Sequence, residues 1–321
     1  MPTVAVQIVT YNSAKTIAQT LIAAQAQTVE LETLFVIDNA STDDTVSIVQ
    51  NAGITLIQNA ENNGYTGAHN QGFAMHKTDY VLTLNPDILL EPDFIERMLE
   101  VLEQDYRLGS ASGCLLRTDS LDTIADRIDA CGLYMTRSRR QKLIYESKLI
   151  DDVPDAPFYI MGPDGAAAFY RRKMLDDIMF DGEVFDTDFF THKEDVDVCW
   201  RAQLLGWKSI CVPSARATHV RHFRPGQRSQ IASNIRCIAL RNRYYLILKN
   251  DFSHHFWQDI LQIFFYEISI LLYVLLRERS TLRAYQEVFS NYRKMIRKRQ
   301  QIQARCRSTS DEIRRWFKAV P

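Results

Sequence analysis

Regularly spaced short apolar runs constrain the first third of this chain more than any other feature. Val4–Val9, Leu34–Ile37, Ile54–Ile57 and Tyr80–Leu84 are each a few apolar residues bounded by polar ones. Such runs suit strands buried on both faces. Between them the apolar positions take helical spacing, as at Ile17, Leu21 and Ile22, with Ser13 as the expected N-cap. Further helices are expected over Thr42–Gln50, through about Lys77, and over Pro92–Glu103. Strand and helix in alternation predict an α/β domain around a mostly parallel sheet. The strands end in polar loops: Thr10-Tyr11-Asn12, Asp38-Asn39-Ala40-Ser41 and Asn85-Pro86-Asp87. Open α/β sheets bind ligands at the carboxyl ends of their strands, so three candidate loops fall on one edge.

The pattern changes twice farther on. Leu115–Tyr145 is irregular and charged, an expected excursion from the sheet, and Tyr159–Tyr170 returns to small and apolar residues around Asp164-Gly165. After residue 230 strand signals give way to long helices, which divides the chain into 1–225, α/β, and 226–321, helical and apolar, then basic. Ile260–Leu276 is the most apolar of these, at about 17 residues marginal for a span. Its more polar positions, Gln258, Gln262, Tyr266, Ser269, Tyr273 and Arg277, recur every three or four residues. The expected reading is a helix lying on a membrane, with a buried core helix and a true span as alternatives. A basic cluster, Arg293 to Arg299, suits anionic headgroups or a solvated face.

Charge is distributed unevenly behind a net value of −1. Residues 1–100 carry three basic and twelve acidic side chains, whereas Asp197 and Asp251 enclose ten basic residues and no acidic one. An acidic front suits metal-bound phosphate, and a basic back suits anionic lipid or phosphate. With 46% hydrophobic and 24% charged residues, disorder is excluded as the dominant state. Six scattered cysteines without metal-ligand spacing read as reduced thiols. The N-terminus leads straight into a strand, with no basic region or apolar signal run, and the expected location is cytoplasmic.

Several residues can carry chemistry. Asp87 at a strand end can bind Mg²⁺ or Mn²⁺ with help from substrate phosphates, or simply form a Pro-Asp turn. Asp38 can hydrogen-bond a nucleobase or ribose, or serve an Asx turn. The glycines of Asn63-Gly64-Tyr65-Thr66-Gly67 permit close backbone approach to a ligand. Glu194, Asp195 and Asp197 stand together at the start of a helix ending at Gly206, where a carboxylate can take a proton from an attacking hydroxyl or merely complement the helix dipole. His219 or His222 can complete a metal site, or pack as ordinary histidines.

Taken in order, Val9-Thr10-Tyr11-Asn12, Asp38 through Asp43, Asn63 through Gly67 with Asn70, Leu84 through Asp87, Asp164-Gly165-Ala166, Glu194 through Asp197, and Arg201 with Gly206-Trp207 resemble the inverting glycosyltransferases of family 2, which have the GT-A fold. The resemblance covers about residues 3–222, and the Asn-Pro-Asp form and Glu-Asp-Val-Asp spacing resemble its rhamnosyltransferase-like branch. Asp44 departs from a frequent Gly, and His69 from a usual Asn or Gly. The resemblance implies that Thr10, Tyr11, Asn12, Asp38 and Asn39 line a nucleotide pocket. Asn63, Gly64, Asn70 and Asn85 would hold the rest of the donor. Asp87 would bind the metal, with His219 as a candidate second ligand. Asp164, Gly165 and Arg201 would face sugar and acceptor. Asp195 would be the catalytic base, with Glu194 as the substitute.

The expected activity is transfer of a sugar, rhamnose from dTDP-rhamnose, to a saccharide acceptor linked to polyprenyl diphosphate, in cell-surface polysaccharide or O-antigen synthesis. A UDP- or GDP-sugar donor or a soluble acceptor is the alternative within the same chemistry. An inactive homologue scaffolding a glycan-assembly complex is the alternative from another class, and the retained Asp87, Glu194 and Asp195 argue against it. No recognised nucleic-acid-binding module accompanies the basic residues, so no nucleic-acid partner is expected. The apolar helix and basic tail place the expected site of action at the inner face of the cell membrane, by peripheral contact.

Overall fold

The computed structural model describes residues 2–119, 126–220 and 231–317. Strand β1 (Val4–Thr10) leads to helix α1 (Ile17–Gln25), β2 (Thr33–Asp38), α2 (Thr45–Asn51), β3 (Thr55–Gln58), α3 (Gly64–Met75) and β4 (Tyr80–Leu84). Thr16, not Ser13, is the N-cap of α1, and the Ser13 hydroxyl accepts the Tyr11 N–H instead. Next come β5 (Ile88–Leu90), α4 (Phe94–Leu102) and the long β6 (Leu108–Thr118). The stretch expected as an irregular excursion holds β7 (Arg127–Ala130), β8 (Leu133–Met135) and β9 (Gln141–Leu143), and β10 (Phe158–Ile160) comes after it. Then follow β11 (Ala167–Arg171), α5 (Arg172–Ile178), α6 (Glu194–Leu204) and β12 (Lys208–Val220).

The main sheet has the order β10-β12-β6-β11-β4-β1-β2-β3, with β5 on β12 and β7 on β6. Strands β1 to β4, β6 and β12 run one way, and β11 lies antiparallel between β4 and β6. The sheet is therefore mostly parallel, and its apolar strands are covered on both faces. Ile17 and Leu21 of α1 and Phe94 and Met98 of α4 pack on one side. Met174 of α5 and Val196 and Trp200 of α6 pack on the other.

The C-terminal helices are α7 (Ser233–Asn250), α8 (Ser253–Gln258), α9 (Ile260–Arg277), α10 (Arg283–Ala304) and α11 (Ser310–Arg314). Tyr245 and Leu246 of α7, with Met295 and Ile302 of α10, belong to the same core as Val196 and Trp200. The acid-poor basic stretch meets acids brought from elsewhere in the chain. Lys249 bonds Asp186 at 2.5 Å and Asp197 at 2.9 Å, all three buried. Arg236, Arg241 and Arg243 pair with Glu278, Glu287 and Glu267. In the tail cluster, Lys298 bonds Asp186 and Asp188, and Lys294 bonds Asp188. These cations are committed to the fold, contrary to the expectation that the stretch meets phosphate. Arg221, His222, Arg224 and Arg228 lie outside the described residues.

Helix α9 presents two unlike faces. Its inward face is Ile263, Tyr266, Glu267, Ile270 and Val274, and Glu267 is held there by Arg243 and Tyr244. Its outward face is apolar: Leu261, Phe264, Phe265, Ile268, Leu271 and Leu272 are exposed. Only 11% of this 18-residue helix is buried, which removes the core-helix alternative.

Candidate active site

Strand register assembles the site. Thr10 pairs with Asp38 across β1 and β2, which puts both at the carboxyl edge. The Thr10 hydroxyl donates to Asp38 Oδ1 at 2.8 Å, and the Ser41 N–H donates to Asp38 Oδ2 at 2.8 Å. Asp38 is buried and orders its own loop. Asn12, at a φ of +53°, locks onto that loop: its Oδ1 accepts the Thr42 N–H at 2.8 Å, and its N–H donates to Ser41 Oγ. The Asn39 amide donates to the Gly64 carbonyl at 3.0 Å. Tyr11 is exposed beside them and Asn63 precedes α3. Gly64 has a φ of +72°, and a Cβ there would lie 2.5 Å from Phe190, so this position requires glycine.

The second part lies where β4, β11 and β12 converge. Ala167 pairs with Leu84, and the Asn85 N–H donates to the Ala166 carbonyl at 2.8 Å, which sets Asp164 and Gly165 beside Asn85. His219 on β12 pairs with Ile88 of β5, and this register brings it to Asp87. His219 Nε2 is 3.5 Å from Asp87 Oδ2, and Nδ1 is 2.9 Å from Asp129 Oδ2. Burial disfavours a charged His219, but the hydrogen bonds to Asp129 and Asp87 outweigh it and carry its pKa up to about 9.

The residues fit a divalent cation. Asp87 Oδ1 is buried with no hydrogen-bond partner among the described residues, and a histidine nitrogen stands beside the same carboxylate. No group of three or more acidic, His or Cys side chains is poised around a cation among the described residues. Two protein ligands are enough for a metal that takes further oxygens from substrate phosphates.

The third part is the start of α6. Asp195 accepts the Val196 N–H at 2.8 Å and the Gly165 N–H at 3.2 Å. The Tyr65 hydroxyl bonds the Gly165 carbonyl from the other side at 2.8 Å. Burial, reinforced by Asp164, raises the Asp195 pKa to about 6. Burial and the neighbouring Asp195 raise that of Glu194 to about 8, and Glu194 Oε2 is a second buried oxygen with no partner. Phe190, His192 and Lys193, just before these carboxylates, all have φ between +63° and +70°. Asn242 of α7 holds this strained loop, its amide bonding the Phe189, Thr191 and His192 carbonyls at 2.7–2.8 Å.

One cavity of about 490 Å³ joins the second and third parts, lined by Asn85, Asp164, Gly165, Glu194, Asp195 and His219, with Arg140, Gln141 and Lys142 of the β8–β9 hairpin opposite. Asp87 and the residues of the first part do not line it, and two further expected residues are turned into the fold. Arg201 is buried, bonded to Asp197 and to the Ile178 and Val184 carbonyls. Asn70 spends its amide on the backbone of Val184 and Phe185. Both tie elements together behind the site. Asp129, Asn242 and the hairpin cations were not singled out from sequence. They reach the site only through strand pairing and helix packing, for which the chain carries no local signal.

A model of glycosyl transferase family 2 matches residues 5–179. Poly-beta-1,6-N-acetyl-D-glucosamine synthase of Staphylococcus aureus is 25% identical over 211 residues, which are 64% of this chain and 47% of the synthase. The chain thus matches about half the length of that relative. Rhamnosyltransferase WbbL of Escherichia coli is 28% identical over 193 residues, covering 58% of this chain and 68% of its own. The solved mannosyltransferase PcManGT of Pyrobaculum calidifontis, in complex with GDP-Man and Mn²⁺, superposes with a TM-score of 0.56 at 17% identity, over 95% of this chain and 86% of its own. That likeness speaks to the fold, which is GT-A.

Proposed function

Because the chain belongs to glycosyl transferase family 2, we propose that it transfers a sugar from a nucleotide donor to a saccharide acceptor by a single inverting displacement, with Asp195 as base. The observation that carries this is one cleft lined by Glu194, Asp195 and His219, with Asp87 behind it 3.5 Å from the His219 Nε2. An attacking hydroxyl must lose a proton, and the base must be ionised at working pH. With pKa values near 6 and 8, Asp195 is the carboxylate of the pair ionised at neutrality, while Glu194 keeps its proton. The Gly165 and Val196 N–H groups fix the Asp195 carboxylate in place.

Asp87 and His219 would hold Mg²⁺ or Mn²⁺, which supplies charge stabilisation to a departing nucleoside diphosphate. Thr10, Tyr11, Asn12, Asp38, Asn39, Asn63 and Gly64 form the edge that takes the nucleotide in this reading. The donor is dTDP-rhamnose, supported by the likeness to WbbL, and the product feeds cell-surface polysaccharide. The acceptor is a lipid-linked saccharide reached at the inner face of the membrane. The outward apolar face of α9, exposed along its whole length, supports that contact. Such a face lies in the headgroup boundary rather than in water.

The test offers purified protein with Mn²⁺ or Mg²⁺ a panel of dTDP-, UDP- and GDP-sugars, with saccharide acceptors linked or not linked to lipid, and follows nucleoside diphosphate release. Metal-dependent release from dTDP-rhamnose, lost in Asp195→Asn, is the expected result. Release from a UDP- or GDP-sugar alone would replace the donor, and binding of no donor would overturn the reading.

A further inference from the structure

The catalytic cleft continues into a second cavity. Lys193 and Ala239 line both it and a groove of about 370 Å³ that runs along α9. The walls of the groove are Leu240 of α7 and Tyr266, Ser269, Ile270, Tyr273 and Val274 of α9. Arg243 also reaches it, but its guanidinium is occupied by Glu267 and by the Ser138 and Arg139 carbonyls. Beyond the Lys193 junction the groove is therefore charge-compensated and mostly apolar, with the Tyr266, Ser269 and Tyr273 hydroxyls along one side. Lys193, which donates to Gln141 Oε1 at 3.2 Å, stands at the junction, and Arg140 and Lys142 of the facing hairpin line the cleft together with Glu146. Among the described residues neither Arg140 nor Lys142 is in a salt bridge.

We propose that cleft and groove form one channel for an amphiphilic acceptor, a lipid phosphate or diphosphate carrying the receiving sugar. Its anionic head sits against Lys193, Arg140 and Lys142. Its aliphatic chain lies between α7 and α9 along Leu240, Ile270 and Val274 and leaves beside the exposed apolar face of α9. The sugar next to the head then stands at the Glu194–Asp195 end of the cleft, where its hydroxyl meets the base. The occupant follows from the walls: carboxylates and cations share the cleft, and the groove that opens from it at Lys193 is largely hydrocarbon. A soluble saccharide uses only the first section and an uncharged lipid only the last. The inference rests on the lipid-linked acceptor reading and adds the place and the chemistry of the contact.

The test uses the full chain in detergent-free buffer with EDTA, which silences any metal-dependent site for the donor diphosphate. Calorimetry compares farnesyl diphosphate, inorganic diphosphate and farnesol, each below its aggregation limit. Farnesyl diphosphate is expected to bind at least tenfold tighter than either of the others. Ile270→Glu should abolish that gain and leave inorganic diphosphate within twofold. Ser269→Trp, which fills the groove from an exposed position, should do the same and keeps the test intact should Ile270→Glu fail to fold. Arg140→Gln with Lys142→Gln should weaken both diphosphates at least fivefold. Equal binding of farnesyl and inorganic diphosphate, or a gain that survives both groove variants, overturns the channel. If the enzyme still prefers lipid-linked over free acceptor in turnover, only the channel has failed. If it shows no such preference, the lipid-acceptor reading has failed as well.

Discussion

Gly165 holds Asp195 by an N–H···Oδ2 bond of 3.2 Å, and a Cβ at Gly165 would sit 3.2 Å from the Asp195 Cβ. The carboxylate is thus pressed against a backbone that leaves it one orientation. Asp195→Asn keeps the shape but cannot accept a proton, and it is expected to lower kcat by roughly 10²–10⁴. Donor affinity, measured by calorimetry, should stay within about twofold, because Asp195 faces the acceptor side in this reading.

The same burial sets a pH dependence. The Asp195 pKa is raised, to about 6, so its protonated form persists to a higher pH than in an ordinary carboxylate. Activity should therefore fall about tenfold per pH unit below 6 and level off above it. A profile flat down to pH 4.5 would mean that Asp195 is not the group that accepts the proton.

Asp129 bonds one ring nitrogen of His219 and leaves the other to face Asp87. Partners of this kind fix the tautomer and orientation of a metal-binding histidine. Asp129→Asn is expected to weaken Mn²⁺ binding about 10–100-fold, read by electron paramagnetic resonance with nucleoside diphosphate present. Asp87→Ala should remove the signal of bound ion altogether.

Asn242 is the clasp on the strained loop before Glu194. Asn242→Leu preserves bulk but takes the amide donor from the Thr191 and His192 carbonyls, while Phe189 keeps the Thr191 N–H. A stability loss of about 1–3 kcal/mol is expected in urea unfolding. Activity should drop further than the unfolded fraction explains, since the carboxylates lose their fixed approach.

Much of this was legible in the sequence because α/β sheets announce themselves locally. The apolar runs at Val4, Leu34 and Tyr80 became β1, β2 and β4, and the polar residues ending them lie at the carboxyl edge of the sheet. Strand β12 carried no such signature. Pro213 interrupts its apolar run, and the pairing with β6 shifts register between Val212 and Arg216. The facing of α9 was not legible for a related reason. Spacing located a polar stripe, but Glu267 in that helix turned inward because Arg243 and Tyr244, more than twenty residues earlier, receive it. Pairings between distant charges leave no periodicity to read.

Lys249 is a sterner case. It lies fully buried between Asp186 and Asp197, and with Lys298 it holds the Asp186 pKa below the usual carboxylate range against the cost of burial. Lys249→Met would leave Asp186 to Lys298 and Asp197 to Arg201, each short of one buried partner, and a loss of about 3 kcal/mol is expected in chemical denaturation. Because the shift is downward, this stabilisation is present above the ordinary carboxylate pKa and disappears as acid protonates Asp186. Lys249→Met should flatten that acid limb.

That arrangement has a consequence for how the protein is made. On the ribosome, the carboxylates at 186 and 197 emerge well before the lysines at 249 and 298 that neutralise them. The helix bearing the candidate base therefore cannot bury its charged flank until most of the C-terminal segment has been synthesised. Products of premature termination near residue 225 would expose this surface to proteases and chaperones. The order of the chain thus ties completion of the helix that carries Asp195 to completion of the C-terminal segment.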